Sequence, residues 1–508
     1  MLAKVSSYGL YGIDAFPVTI EVDVSTGIPA FAIVGLPDNA IKESKERVRS
    51  AIRNSGYEYK SHRVTVNLSP ADIKKEGPSF DLAIALGFLA ATEQINASSL
   101  DDKIFLGELS LDGRIRSIKG SLSIALALPN NQKKELILPY ANALEAAATN
   151  NAYVYPGHTL TDVVHFLNNP KKQNPFQVNI ENIFDTSCSH LIDFSEVKGQ
   201  QSVKRGLEIA AAGGHNCLLI GPPGSGKSML AKRLRTILPD ITLKESLETT
   251  RIHSIMGLVP SHLGLISTRP FRSPHHTSSD VALVGGGSVP RPGEVTLSHN
   301  GVLFLDELPE FNRNVLESLR QPLEDHYVTV ARAARSVRFP AKFMLIASMN
   351  PCPCGYATDP RRECHCTPIQ IQRYMSKISG PLLDRIDIHL DVPALKSTEL
   401  LSAPSAEPSS EIKKRTLAAR AVQQDRFNGT DIYANAQMGQ KQLRKFCRLS
   451  EESKELLKTA LEELNISARA HDKILKVART IADLEGIDAI APEHIAEAIQ
   501  YRSLDRGW

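Results

Sequence analysis

The chain has 508 residues, 42% hydrophobic and 23% charged, with 59 Lys+Arg against 56 Asp+Glu and a net charge of +3. That length points to about three domains, and the composition excludes a disordered chain, a collagen-like repeat and a disulfide-stapled miniprotein. No apolar run reaches the ~20 residues that cross a bilayer, and the opening MLAKVSSYGLYGID lacks the apolar stretch of a secretory signal. A cytoplasmic protein without a membrane partner is therefore expected. Seven cysteines, four of them between 352 and 366, fit a reducing compartment and a metal site better than a disulfide framework.

In chain order, short β-branched runs at 17–24, 63–68, 104–106 and 136–138 alternate with helical patterns at 40–55 and 81–91. This predicts an α/β or α+β N-terminal domain over residues 1–167. The stretch 168–182, NNPKKQNPFQVNIEN, has no periodicity and opens a linker over 168–190. A central domain over 191–395 begins with a helix at 199–212 and then runs strand, glycine loop, helix. A second break, KSTELLSAPSAEPSSE at 396–411, opens a helical C-terminal domain over 396–508. Its clearest helices are predicted at 451–464, 468–484 and 492–501, with Ser467 as an N-cap and Pro492 in a first turn. The charge is unevenly spread. Residues 1–168 carry 16 basic and 18 acidic side chains, residues 191–395 carry 23 and 19, and 16 of those 23 are Arg.

The strongest signal is Gly221, Pro222, Pro223, Gly224, Ser225, Gly226, Lys227 and Ser228, which fits G-x-x-x-x-G-K-[ST]. An apolar strand at 217–220 precedes it and a helix follows, with Met229 in the first turn. In that setting backbone N–H groups and the helix N-terminus cradle phosphate oxygens. Lys227 would reach the β- and γ-phosphates of ATP, and the Ser228 hydroxyl would bind Mg²⁺. The apolar run 301–305 ends in Asp306 and Glu307. Asp306 would hold the Mg²⁺ and Glu307 would polarise the attacking water. A third strand, 343–348, leads to Asn350, which is placed to orient the same water.

With GPPGSGKS at 221–228, the chain also carries RPFRSPHH at 269–276, GVLFLDE at 301–307, SMNPCPCG at 348–355, GPLLDRIDIHLDVP at 380–393 and SARAHDKILKVARTIADLEG at 467–486. On these motifs it resembles the ComM/YifB-type, magnesium-chelatase-like branch of the AAA+ ATPases over essentially its whole length. The resemblance implies an α/β fold with a parallel-sheet P-loop core and an α-helical C-terminal lid. It assigns Asn350 as sensor 1, Arg385 as a finger acting on a neighbouring subunit's ATP, and Arg469 as sensor 2, with Arg320 a rival finger. A finger supplied in trans implies a ring, expected to be a homo-hexamer. For Arg385 the plain alternative is a surface salt bridge to Asp384 or Asp387.

The stretch 327–342 carries Arg332, Arg335, Arg338 and Lys342 and no acid. Its flanks alternate like strands, which predicts a β-hairpin tipped by Arg332 and Arg335. In related ring ATPases such a hairpin enters the central channel, where six copies would grip a phosphate backbone. The bland alternative is a charged edge hairpin. Residues 269–299 read as a second pore-side insertion with Gly285–Gly287 at its tip, His275 and His276 being structural or functional. Cys352, Cys354, Cys364 and Cys366 suit a tetrahedral structural Zn²⁺, with His365 a substitute ligand and free or redox thiols the alternative.

KKEGPSF at 74–80 and GELSLDG at 107–113 resemble the Lon-protease domain. Ser79 matches its nucleophile, but Leu122 stands where the activating Lys is needed, and Lys119 lies three residues away. A Ser without its base is a weak nucleophile, so a Lon-like, non-proteolytic domain is expected. The resemblance as a whole implies a DNA motor for branch migration during recombination in natural transformation, working on single-stranded and branched DNA alongside a recombinase. A magnesium-chelatase-type remodelling subunit and a Lon-like protease are the alternatives.

Overall fold

A computed structural model describes residues 1–59, 62–170, 173–185, 192–287, 290–331, 336–394, 406–463 and 467–502. The chain forms two compact units, Met1–Cys188 with Thr242–Ser267, and Ser189–Ile241 with Thr268–Trp508. Residues 242–267, expected inside the ATPase core, thus fold with the N-terminal unit.

In the first unit a long hairpin, Leu2–Tyr11 and Asp14–Ser25, turns at Gly12 in the left-handed region (φ 62°). It lies within a mixed seven-stranded sheet with Arg63–Ser69, Ala30–Val34, Lys103–Phe105, Glu135–Pro139 and Tyr153–Gly157. Alternation places Val18, Ile20, Val22 and Val24 on the buried face. Helix Asp81–Ala91 is buried at every position. It approaches the sheet so closely that a methyl at Gly87 would sit 2.6 Å from Val22 Cγ2. Helix Asn39–Asn54 starts at Asp38, whose carboxylate accepts the Ile41 N–H at 2.8 Å.

Helix Leu243–Met256, opened by a capping box of Thr242 and Glu245, packs on helix Ser121–Ala127. The Gly120 N–H donates to the Ser254 carbonyl at 3.1 Å, and Arg251 bonds the Ile13 carbonyl at 3.0 Å. Leu265 joins Leu122, Ala148 and Ile183 in one buried cluster. The helix buries mostly polar side chains, and the segment's apolar contact with the first unit comes from Leu265 and Leu247.

The second unit is built on a five-stranded, all-parallel sheet. Its order is Phe271–Arg272, Val302–Leu305, Met344–Met349, Cys217–Ile220, Ile388–Asp391. Every residue of Cys217–Ile220, Val302–Leu305 and Met344–Met349 is buried, as a sheet covered on both faces requires. Helices Gln201–Gly213, Ser409–Arg426, Ala468–Glu485 and Pro492–Gln500 complete the core. Arg420 fastens one of them by donating to the Ala211 and Ala212 carbonyls, each at 3.1 Å. Ser467 caps Ala468–Glu485 by accepting the Ala470 N–H at 3.2 Å. Among the described residues no helix is long and apolar enough to cross a membrane.

Strands Tyr327–Ala331 and Ser336–Pro340 pair antiparallel. Val328, Val330, Val337 and Phe339 are buried, while Arg338 is exposed and lies over the Tyr327 ring at 4.5 Å. Arg332 and Arg335 lie outside the described residues. In the segment 269–299, Phe271–Arg272 joins the edge of the main sheet, and Gly285–Gly286 pairs with Arg291–Pro292 as a short ribbon whose first strand leads into a turn at Gly287.

Candidate functional site

The C-terminal ends of three adjacent strands bring the expected groups together, as an open parallel sheet does at the point where its strand order reverses. Strand Cys217–Ile220 runs into the glycine loop, in which Gly224 (φ 77°) and Gly226 (φ 91°) take left-handed conformations. Helix Lys227–Leu234 follows at once. Lys227 Nζ is enclosed and donates to the Gly221 carbonyl at 2.6 Å, the Pro222 carbonyl at 2.9 Å and Asn350 Oδ1 at 3.2 Å. Burial lowers its pKa, which the nearby Asp306 and Glu307 oppose.

Ser228 Oγ donates to Asp306 Oδ2 at 2.7 Å, so two hard oxygen ligands lie side by side where Mg²⁺ would sit. The other Asp306 oxygen accepts from the Ser348 hydroxyl and, at 3.2 Å, from the Glu307 N–H. Glu307 itself has a left-handed backbone (φ 54°), and its side chain is 60% exposed beside His276, whose Nδ1 is 3.5 Å from Oε2. One strand end therefore holds its first carboxylate inward and presents the second outward. The buried Ser225 hydroxyl has no protein partner, and the Gly224 Cα faces open space. Both fit a loop that wraps a phosphate chain.

One support of this site, and one buried group at the opposite ends of the same strands, escaped sequence reading. Gln200 Nε2 donates to the Ser225 carbonyl at 2.8 Å and the Pro393 carbonyl at 3.2 Å, steadying the loop from a position 25 residues upstream. His215, Asp387 and Lys473 form a buried ionic group. His215 Nδ1 lies 3.4 Å from Asp387 Oδ2, the Asn216 N–H reaches the same oxygen at 3.1 Å, and Lys473 contacts the other. Burial alone would raise the Asp387 carboxyl, but Lys473 and His215 hold it well below the usual carboxylate range. Neither leaves a local motif, because the partners lie more than 20 residues apart in sequence.

Arg385 is paired with Glu324, and not with Asp384 or Asp387. Its Nη1 also donates to the Pro381 carbonyl at 2.6 Å. Arg469 lies 4.0 Å from the same Glu324. Arg320 bonds Glu317 and the Ser379 hydroxyl. Among the described residues none of these guanidinium groups contacts Lys227, Ser228, Asp306 or Glu307.

The four cysteines converge. Their sulfurs all lie within 4.8 Å of one another, with Cys352–Cys354 at 3.3 Å, Cys352–Cys364 at 3.6 Å and Cys354–Cys364 at 3.5 Å. A tetrahedron with Zn–S bonds of 2.3 Å has edges of about 3.8 Å, so the donor set fits Zn²⁺. The Tyr356 backbone N–H holds the Cys354 thiol down to about 6, favouring a thiolate ligand. His365 is not part of the cluster.

In the N-terminal unit Leu122 is fully buried, and its N–H donates to the Glu145 carboxylate at 3.0 Å. Lys75, four residues before Ser79, is buried with no hydrogen-bond partner at Nζ, and burial lowers its pKa. Among the described residues no contact joins it to Ser79.

Residues 193–400 match the family "Magnesium chelatase, subunit ChlI", residues 20–142 match "Subunit ChlI of Mg-chelatase", and residues 406–502 match "Magnesium chelatase, subunit ChlI C-terminal". The chain is 44% identical to the competence protein ComM of Haemophilus influenzae over 510 residues, spanning 99% of this chain and 98% of that protein. The chain belongs to the ComM/YifB family of magnesium-chelatase-like proteins. YifB of Escherichia coli is 43% identical over 507 residues with the same coverage. The magnesium-chelatase 38 kDa subunit of Rhodobacter capsulatus is more distant, 26% identical over 176 residues that span 31% of this chain and 50% of that protein. The magnesium-chelatase family is an AAA+ ATPase family, which supports ATPase activity for this chain and implies ATP and Mg²⁺.

Proposed function

We propose that this protein is an ATP-driven DNA motor that works as a hexameric ring and promotes branch migration during recombination of incoming DNA. The observation that carries the reading is the pairing of a complete hydrolysis site with a hairpin whose sequence, 327–342, holds four cations and no acid. Full-length similarity to a protein named for competence supports the setting.

In this reading the Gly221–Ser228 backbone and Lys227 bind the triphosphate, while Asn350 fixes the Lys227 ammonium and orients the attacking water. Glu307, exposed at the strand end, accepts that water's proton. Ser228 and Asp306 would hold Mg²⁺, which when bound would neutralise charge on the β- and γ-phosphates. Among the described residues Arg385 and Arg469 engage none of these groups; Arg385 serves a neighbouring subunit's ATP, and Arg469 acts as sensor 2. Arg332, Arg335 and Arg338 grip the DNA backbone in the channel, and Zn²⁺ at the four cysteines is structural. The N-terminal unit is a Lon-like domain without protease activity, because the buried Leu122 supplies no base.

The test is the ATPase rate with and without single-stranded and branched DNA. DNA should stimulate hydrolysis, binding should weaken steeply with salt, and Arg332→Ala/Arg335→Ala should abolish both the stimulation and the steep salt slope. DNA-independent hydrolysis that the double substitution leaves unchanged would exclude the motor and favour a remodelling subunit of the chelatase kind.

A further inference from the structure

We propose that the four-cysteine loop is a zinc-dependent clamp on the ATP site, so that metal at Cys352, Cys354, Cys364 and Cys366 sets the position of both Asn350 and the phosphate loop. This rests on reading the phosphate loop as the ATP site, and it adds a dependence of that site on a second metal.

The sequence from Asn350 is Asn-Pro-Cys-Pro-Cys-Gly. Two prolines fix φ on either side of Cys352, so little slack separates the Asn350 side chain from the first two sulfurs. Cys352 is fully buried, and Asn350 Oδ1 accepts from Lys227 Nζ at 3.2 Å. A turn from the Cys352 carbonyl to the Gly355 N–H (3.0 Å) then folds the loop back. Gly355 has a left-handed backbone (φ 88°), and a methyl there would meet Pro223 Cγ and Cδ at 2.7 Å. The cysteine loop therefore rests directly on the phosphate loop. Its far end is tied to the same place. Helix Pro368–Met375 begins just after Cys366, and it sets the largely buried Tyr374 ring near the Asn350 backbone. Asn350 thus lies between the two ends of the segment, joined directly to the first and close to the second.

What holds the segment itself is the sulfur cluster. Between 351 and 367 the buried residues are Pro351, Cys352, Gly355 and Asp359, so no apolar core supports it. A loop of this length closes on its own only at an entropic cost that a tetrahedral cross-link offsets. Released from the metal, the loop loses its fixed contact with Pro223, and Asn350 loses the fixed segment that follows it.

The experiment is metal analysis combined with hydrogen exchange on the full-length protein. Samples are wild type, wild type treated with a zinc-selective chelator and then resupplied with Zn²⁺, and Cys364→Ser/Cys366→Ser. The expected result is about one Zn per chain in wild type. Removing it should speed exchange at least tenfold both in the 352–366 loop and in 221–228, leave Val302–Leu305 unchanged, and be reversed by Zn²⁺. ATP hydrolysis should fall in parallel, also at least tenfold. Absence of zinc from wild type, or faster exchange confined to 352–366, would overturn the clamp. Wild type that holds zinc and passes the exchange test yet fails to hydrolyse ATP would instead overturn the ATPase reading. If the double variant does not fold, the chelated and resupplied wild type decides alone.

Discussion

Replacing Asp387 by Asn removes the one negative charge of a buried ionic group while keeping its shape and most of its hydrogen bonds. Asp387 is 1% exposed, Lys473 is 21% exposed, and Lys476 nearby is pulled down to about 8 by burial and then by Lys473. Neutralising Asp387 leaves that cationic pair without its buried counter-ion. Breaking a buried pair from one side costs about 3–5 kcal/mol, and the partial exposure of Lys473 argues for the lower end, about 3 kcal/mol. At roughly 2 °C per kcal/mol for a unit of this size, calorimetry should show the transition of the second unit falling by about 6 °C. The transition of the N-terminal unit should not move. Because the pair is screened from solvent, the difference should persist between about 0.1 and 1 M salt. Asp387→Asn/Lys473→Met should recover most of the loss, since the orphaned charge is gone. A shift below 2 °C, a loss that vanishes in high salt, or simple additivity in the double variant would refute this account.

Glu307→Gln should bind ATP as tightly as wild type but hydrolyse it at least ~100-fold more slowly, and rapid turnover in single-turnover assays would place the base elsewhere. His276→Ala frees the Glu307 carboxylate from its neighbour at 3.5 Å, so kcat should fall several-fold with nucleotide affinity unchanged. A shift in affinity alone would contradict that role. Gly221→Ala puts a methyl 2.1 Å from the Val392 carbonyl oxygen, a backbone atom with no room to yield. An overpacking cost of about 1–3 kcal/mol follows, and fluorescent-nucleotide titration should show affinity reduced about tenfold or more. Burial holds His326 at about 4 and His389 at about 3, with Lys342 and Arg502 adding to the effect. Their folded pKa values are depressed, so their contribution is present above the unfolded value of about 6.5 and is lost as pH falls toward 4 and 3. Between pH 7.5 and 5.5 each costs about 1 kcal/mol, a drop of about 4 °C together, and an unchanged melting temperature at pH 5.5 would exclude it.

The parts legible in the sequence are those whose chemistry is local. Gly221–Ser228, Asp306 with Glu307, and the four cysteines each carry their geometry in consecutive or near-consecutive positions, and each closes as its spacing suggests. Helix 81–91 is equally legible, because its apolar run is too long for most strands and rich in Ala and Leu rather than β-branched residues. Partnership across the chain is not legible. Acidic neighbours at 384 and 387 suggest a partner for Arg385, yet the strand at Ile388–Asp391 turns Asp387 inward toward Lys473 and leaves Arg385 to reach Glu324, 61 residues upstream. Helix Leu243–Met256 carries no clear apolar stripe, and nothing local says which core will take Leu247 and Leu265. Gln200 carries no signal at all, since a single amide becomes meaningful only when two loops present carbonyls to it.

The path of residues 242–267 bears on how the protein is made. Leu265 and helix Leu243–Met256 close the cluster around Leu122 and Ala148, so the N-terminal unit lacks part of its interior until that segment leaves the ribosome. By then the phosphate loop has already emerged. Synthesis therefore cannot deliver a finished first unit and then begin the second, as it does for domains strung end to end. The two halves must mature as one project, and neither can be cut out or exchanged as a cassette at a single junction.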